Sequence, residues 1–570
     1  MKMPRLTTPG LAALLALCCL HFSPLTPAAP TPAPPSLSGQ LLQTNPMLHN
    51  RLSPVRGEEE KLPAPAEPPL AESRSDLPAL WVRTIRVLHV PEAAKSAVSA
   101  CVAPFAGRRM SLSALQHLAV TLTAVLQQQG ERLSYAYLPD QRVVDNTVVF
   151  DIIHGHIERA RVARNASLLS DRTLRGYLGA GDADGRAIGD WEAMMTRLAD
   201  LPGVGEVSSY LTPGDRPGGS VLNLKLAAAP RVEGALVMDN LGSLASGRNR
   251  LGGQLTINSP AGWGDRLQAL AWLAPDFLQI DHRSDRGNTL IGRLAWDLPV
   301  TANGSRLGMA ASRVSYRLGG PVLHGLGDGF ADILSLYASS PLRSGERARL
   351  TLGGNLDIKR MMDRFWGMEN RRRAPVAGLQ LAGDFQGALL GRPWRIQLQL
   401  APAIGRLSNR DEWNGAATRG RFLKLMETLN LLQALTPGIN LALSVSGQQA
   451  SKNLDGAEKL SLGGAYAVRA YGNSAASADS GIIVSPSISA PIPLLANARV
   501  ELFYDYGRGK LQKFAPQKQT VIMKGYGIGV SWQFHPRAFI NASYAWRQGS
   551  DPRLGPQNKA SGWVTAGLQF

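Results

Sequence analysis

The residues that come nearest to metal chemistry are His154-Gly155-His156-Ile157-Glu158, where positions two apart would share one face of a strand. A metal shell needs further donors converging on one point. No third cluster supplies them, so the run reads as ordinary strand and hinge residues with no metal site. Gly525, Gly527 and Gly529 have the spacing of a phosphate-cradling loop. Such a cradle also needs a helix N-terminus behind it, and this stretch alternates like a strand with no helix following, which makes the glycines small residues of a wall or lumen. Gly507-Arg508-Gly509-Lys510 lacks P-loop spacing, and neither a Gly-x-Ser-x-Gly elbow nor a zinc-protease motif occurs. The chain reads as a non-enzyme without a cofactor.

With no reaction to serve, the elements themselves carry the reading. The 570 residues include 61 Lys and Arg against 43 Asp and Glu, a formal net charge of +18. That excess would suit nucleic acid, but the N-terminus argues for export. Lys2 and Arg5 start it, Leu11 to Leu20 form an apolar run, and Thr26-Pro27-Ala28 ends a signal peptide over residues 1–28. Bulky Leu17 before Cys18 speaks against lipid attachment there. Cleavage leaves Cys101 alone, so no internal disulfide can form. The basic residues are scattered, apart from Arg371-Arg372-Arg373, which beside Glu369 and Asn370 is expected in a solvated loop. A basic lumen or periplasmic face could attract an acidic client.

Residues 29–79 are rich in Pro, Ala and Ser and read as an extended linker, with a short amphipathic helix expected over 37–52. Two units of one layout follow, each strand, helix, helix, strand, strand. The first, 80–155, has a strand over Leu80 to Val90, helices Glu92 to Cys101 and Ser111 to Gln129, and strands Arg132 to Leu138 and Asn146 to His154. The second, 156–229, repeats the order with Ile157 to Arg164, helices near Ser170 to Leu178 and Ile188 to Leu201, then Val204 to Leu211 and Ser220 to Leu226.

From 230 to 570 the texture is short alternating stretches: Trp394 to Leu400, Ile439 to Ser446, Arg499 to Tyr504, with turns at Asn303-Gly304 and Ser344-Gly345. A soluble sandwich also alternates. Three features favour a membrane barrel: apolar residues opposite Arg, Gln, Asn and Ser, aromatic residues near strand ends, and a last strand with Val564, Ala566 and Leu568 on one face that ends in Phe570. Outside the signal no apolar run is long enough for a spanning helix, so only a closed barrel would satisfy the backbone in lipid.

Specific motifs then resemble the two-partner secretion transporters, the TpsB proteins of the haemolysin secretion and activation family. Leu201-Pro202-Gly203-Val204, Leu211-Thr212-Pro213-Gly214 and Pro217-Gly218 are similar to the end of that family's second POTRA domain. Asp239-Asn240-Leu241-Gly242, Gly247 to Arg250, Asn258 and Gly262-Trp263-Gly264-Asp265 are similar to its first barrel hairpin. Leu462-Gly463-Gly464-Ala465-Tyr466-Ala467-Val468-Arg469-Ala470-Tyr471 resembles its inward-folded loop, and Phe503-Tyr504-Asp505-Tyr506-Gly507 the wall strand that the loop meets. Ala470 departs from the family's glycine, so its backbone should avoid positive φ or be strained.

The resemblance implies a mainly β fold, a sixteen-stranded transmembrane β-barrel preceded by two α/β periplasmic POTRA domains. It implies an outer-membrane pore that secretes a TpsA exoprotein without nucleotide, with Gly463, Gly464, Tyr466, Val468, Arg469 and Tyr471 in the lumenal loop and Phe503, Asp505 and Gly507 as its partners. Arg469 and Asp505 would pair, and Val564, Leu568 and Phe570 would form the signal read by the barrel assembly machinery. The helix at 37–52 would be the pore plug. Outer-membrane lipid and the exoprotein are the expected partners, and nucleic acid is not. The alternative is a BamA-like assembly factor; a passive porin or receptor leaves the two N-terminal units unexplained.

Overall fold

The computed structural model describes residues 79–570 apart from 180–185, 244, 275–286, 320–324, 346, 410–416, 474, 516, 518, 555 and 556. The signal at 1–28, the linker and the helix at 37–52 lie outside the described residues. The chain forms two compact units that part between Ala229 and Pro230.

In the first unit β1 (Leu80–Val82) and β2 (Thr84–Leu88) precede α1 (Lys95–Val102), β3 (Arg108–Met110), α2 (Leu112–Gln128), β4 (Tyr135–Tyr137) and β5 (Thr147–Ile153). The theme returns in β6 (His156–Asn165), α3 (Asp171–Leu178), α4 (Ile188–Ala199), β7 (Val204–Pro213) and β8 (Gly219–Ala228). Sheet orders β2-β5-β4 and β6-β8-β7 have the same plan, a parallel pair closed on one side by an antiparallel strand. Parallel neighbours require a crossover, which the helices supply. Ser111 and Ser170 cap α2 and α3 by accepting the N–H of Ala114 and Thr173, each at 3.2 Å. Leu115, Leu118, Leu122 and Leu126 then form one stripe of α2, buried against Val148, Phe150 and Ile152 of β5.

One strand was expected over Leu80 to Val90, and the structure divides it. β1 pairs with β3 and β2 with β5. Val82, Ile85 and Val87 all belong to the same core, and the odd step from 82 to 85 cannot put them on one face of an unbroken strand. The strand expected at Arg132 to Leu138 contracts to β4.

The second unit is a closed antiparallel barrel of sixteen strands. They are β9 (Val232–Asp239), β10 (Arg250–Asn258), β11 (Arg266–Leu273), β12 (Asn288–Pro299), β13 (Arg306–Arg317), β14 (Gly327–Ser344), β15 (Ala348–Phe365), β16 (Met368–Leu389), β17 (Arg392–Asn409), β18 (Gly420–Thr436) and β19 (Ile439–Ala450), then β22 (Ser480–Pro491), β23 (Ala498–Lys510), β24 (Thr520–His535), β25 (Ala538–Arg547) and β26 (Ala560–Gln569). Two short strands, β20 (Leu460–Ser461) and β21 (Ser477–Ala478), make a hairpin of their own inside the loop between β19 and β22.

Alternation along β15 shows the logic. Lys359, Met361 and Asp363 are buried, while Leu352, Leu356 and Ile358 are exposed. An apolar outer face around a polar interior inverts a soluble protein and suits lipid outside and water within. Among the described residues no helix is long and apolar enough to cross a membrane, so the crossing elements are strands. Tyr526 and Trp546 stand opposite each other on β24 and β25, ring centroids 5.9 Å apart, both exposed like the aromatic residues of an interfacial girdle.

Arg371-Arg372-Arg373 does not lie in a loop. It belongs to β16, where period two turns Arg372 into the barrel, buried, and leaves Arg371 and Arg373 exposed outside. The last and first strands close the wall: the Phe570 N–H donates to Gly234 O at 3.0 Å, and the Gly234 N–H to Phe570 O at 2.9 Å. A Cβ at Gly234 would strike the Phe570 ring, so glycine makes room for it. Val564 and Leu568 share the outward parity of Phe570, while Trp563 points inward.

Candidate functional site

Residues 451–479 connect β19 to β22, and instead of standing clear of the barrel they fold back into its lumen. At the tip the Arg469 guanidinium grips Asp505 of β23 with two bonds, Nε to Oδ2 at 3.0 Å and Nη2 to Oδ1 at 2.9 Å. The Arg469 backbone N–H donates to the same carboxylate at 2.9 Å, and Glu501 lies 3.5 Å from Nη1. Asp505 is 0% exposed. The guanidinium also covers the Phe503 ring, 3.2 Å from its centroid. Trp563 of β26 donates from Nε1 to Arg469 O at 2.7 Å, and Ser561 to Ala470 O at 3.2 Å. A planar fork on a fixed carboxylate, stacked on an aromatic face, is a geometry that lysine could not reproduce.

Glycines of the wall let the loop approach. A Cβ at Gly507 would lie 2.7 Å from Val468 Cγ2, one at Gly509 would lie 2.6 Å from Ala478 Cβ, and one at Gly525 would collide with Ala470 Cβ. Gly527 leaves space for the Phe503 ring. The glycines of β24 thus have a packing role. Leu462, Val468, Ala470 and Tyr471 fill the groove against Phe503, Val521, Met523 and Ala545. Gly464 adopts φ +121° at the turn, whereas Ala470 is absent from the left-handed region. Gly463 backs onto Gly472 O, where a side chain would sit 2.6 Å away. Tyr466 is the outlier of the motif: it is 69% exposed rather than packed.

A second anchor was not foreseen. Near the start of the loop, Arg372 of β16 bridges Asp363 of β15 and Asp455 of the loop, and Tyr316 of β13 donates to Asp363 at 2.6 Å. Beside it, Glu458 lies between Lys359 of β15 at 2.5 Å and Lys424 of β18 at 2.7 Å. Lys459 pairs with Asp479 at 3.1 Å, which closes the loop on itself. Leu454 and Ala457 pack on Val314, Met361, Ala374 and Phe422 below these charges. The loop is therefore fixed to two separate arcs of wall, β13–β18 and β23–β26. Alternating charges in Asp357-Ile358-Lys359-Arg360-Met361-Met362-Asp363 were a sequence signal for an inward polar row; their loop partners were not.

His154, His156 and Glu158 form no site of this kind. Glu158 accepts the N–H groups of Asp215 and Arg216 at 3.0 and 2.8 Å and braces the β7–β8 turn. Among the described residues no group of three or more His, Cys, Asp or Glu is placed to hold a metal ion.

Residues 218–532, more than half of the chain, match the family model described as haemolysin secretion/activation protein ShlB/FhaC/HecB. The chain belongs to this family. Residues 80–155 match the ShlB-type POTRA domain. The family member is 24% identical over 456 residues to the heme/hemopexin transporter protein HuxB of Haemophilus influenzae strain 86-028NP, covering 77% of this chain and 78% of that one. In fold it is similar to CdiB from Escherichia coli, with TM-score 0.64, 19% identity and coverage of 90% and 94%. CdiB from Acinetobacter baumannii gives 0.57, 17%, 98% and 97%. This ShlB/FhaC/HecB-type chain is thus an outer-membrane translocator, its barrel in the outer membrane and its POTRA-like domains on the periplasmic side.

Proposed function

We propose that the chain secretes a TpsA-type exoprotein, with the doubly anchored lumenal loop as the element that shapes its path. The observation that carries this reading is the buried Arg469–Asp505 clasp within a closed barrel. Residues 1–28 direct export, 29–79 form the linker, and the POTRA units at 80–155 and 156–229 receive the unfolded client by adding its backbone to a free sheet edge such as β7. The client then threads the barrel at 230–570 and folds outside, which makes return unfavourable without nucleotide. Gly463, Gly464, Tyr466, Val468 and Tyr471 belong to the loop, and Phe503, Asp505 and Gly507 receive it. The barrel assembly machinery reads Val564, Leu568 and Phe570 during biogenesis, and nucleic acid is no partner.

The test is export of a β-helical exoprotein encoded beside this chain. Deleting residues 79–229 should abolish its appearance outside the cell while leaving heat-resistant barrel in the outer membrane. Undiminished export by the deleted form would refute the proposal.

A further inference from the structure

Four outward arginines face one another, and among the described residues none of them is in an ion pair. Arg360 of β15 stands directly opposite Arg373 of β16, and Arg406 of β17 directly opposite Arg421 of β18. Arg373 is opposite Ser408, which makes Arg406, two residues along β17, its diagonal neighbour. The four therefore form one patch across adjacent strands. Their sequence neighbours Lys359, Arg372, Leu407 and Phe422 are buried inside the barrel, so period two turns the arginines outward, and all four are exposed.

Depth and company define the patch further. Two residues back on the same face lie Ile358, Ile404 and Leu423, which are 38%, 52% and 57% exposed and belong to the apolar belt. The arginines sit beyond that belt, at the edge opposite the one where β9 begins, which is the outer-leaflet boundary. Among the described residues none of the four is ion-paired. Asp332, opposite Arg360 on β14, pairs with Arg313 at 3.5 Å, and Glu369 is engaged by Arg364 and Arg371 at 3.1 and 2.9 Å. Like charges directly opposite on a sheet repel, so two such pairs side by side call for an external anion. Guanidinium forks match phosphate oxygens, and the apolar stems can lie along the belt while the heads reach the headgroup level.

We propose that Arg360, Arg373, Arg406 and Arg421 bind the phosphates of a phosphorylated glycolipid in the outer leaflet. Two cross-strand pairs suit a headgroup with two phosphates. Lys359 and Arg372, each adjacent in sequence to one of the four, hold the lumenal loop from the inner side of the same wall, so the bound lipid braces the segment that carries the second anchor.

The full-length protein in detergent, titrated with a bisphosphorylated lipid A and followed by native mass spectrometry, tests this. Wild type should retain the glycolipid, and the Arg360→Gln, Arg373→Gln, Arg406→Gln, Arg421→Gln variant should bind it at least about tenfold more weakly, as expected when several charge-assisted bonds are lost together. An Arg364→Gln, Arg371→Gln control should bind like wild type. Equal binding by the fourfold variant overturns the proposal, as does wild type that binds phosphatidylglycerol as well as the glycolipid or releases it to millimolar inorganic phosphate. Should the fourfold variant lose its heat-resistant barrel, R360Q/R373Q and R406Q/R421Q are measured separately, and no weakening in either overturns it equally.

Discussion

Lys359 on the barrel wall and Glu458 in the lumenal loop form a buried ion pair 2.5 Å apart. Lys424 faces the same carboxylate from β18 at 2.7 Å, so one loop residue answers two wall cations.

Replacing Glu458 by Ala removes the carboxylate that both buried ammonium groups share. Breaking a buried pair by removing one partner costs on the order of 3 to 5 kcal/mol, less where water can enter. The Glu458→Ala barrel should lose its compact gel migration at a lower temperature than wild type, and trypsin should cut after Lys459. Unchanged melting and unchanged protection would show that the second anchor does not hold the loop.

Arg469→Ala and Asp505→Ala act at the tip. Each should strongly reduce export of the client while heat-resistant barrel remains in the outer membrane, because the wall strands keep their own hydrogen-bond ladder. Arg469→Lys should restore little, since an ammonium cannot make the paired bonds to Asp505 or lie flat on Phe503. Normal secretion by both alanine variants rejects the clasp as a working part.

Gly525→Ala places a methyl group where Ala470 already sits. Overpacking of this kind costs about 1 to 3 kcal/mol, enough to lift the loop tip from its groove. The expected readout is increased labelling of a cysteine introduced at Ala467, with wild-type barrel abundance. At Gly529 the nearest atom to an added Cβ is the mobile end of Glu501 at 3.1 Å, so Gly529→Ala should label like the parent. Equal labelling of both variants would count against the groove.

Glu158 sets a pH dependence in the N-terminal unit. Backbone N–H groups of Asp215 and then Arg216 hold its carboxyl below the ordinary glutamate range. A depressed carboxylate contributes stability that is complete above its unfolded pKa of about 4.3 and fades as pH falls through the folded value. Hydrogen exchange at the 213–219 turn, compared between wild type and Glu158→Gln at matched pH, should show protection by the wild-type residue at pH 7 that shrinks below about pH 4. A difference that stays constant across this range would remove Glu158 as its source.

The two repeated N-terminal units and the barrel wall were legible in the sequence because their signals are local: helical stripes such as Leu115 to Leu126, and period two in stretches such as Arg499 to Tyr504. The tip clasp was legible only because two motifs resembled a known family, since nothing local joins residue 469 to residue 505. Period two says that Arg371 and Arg372 point to opposite sides, but not which side is wet. That is decided when β26 meets β9 and the sheet closes, making one face a lumen and the other a lipid surface. Closure then brings Asp455 and Glu458 to a wall built from strands some hundred residues earlier, and it sets Arg360 opposite Arg373 and Arg406 opposite Arg421. Burial of a charge and its partner across such distances belongs to tertiary structure, because the register that pairs them is fixed by the whole ring of strands.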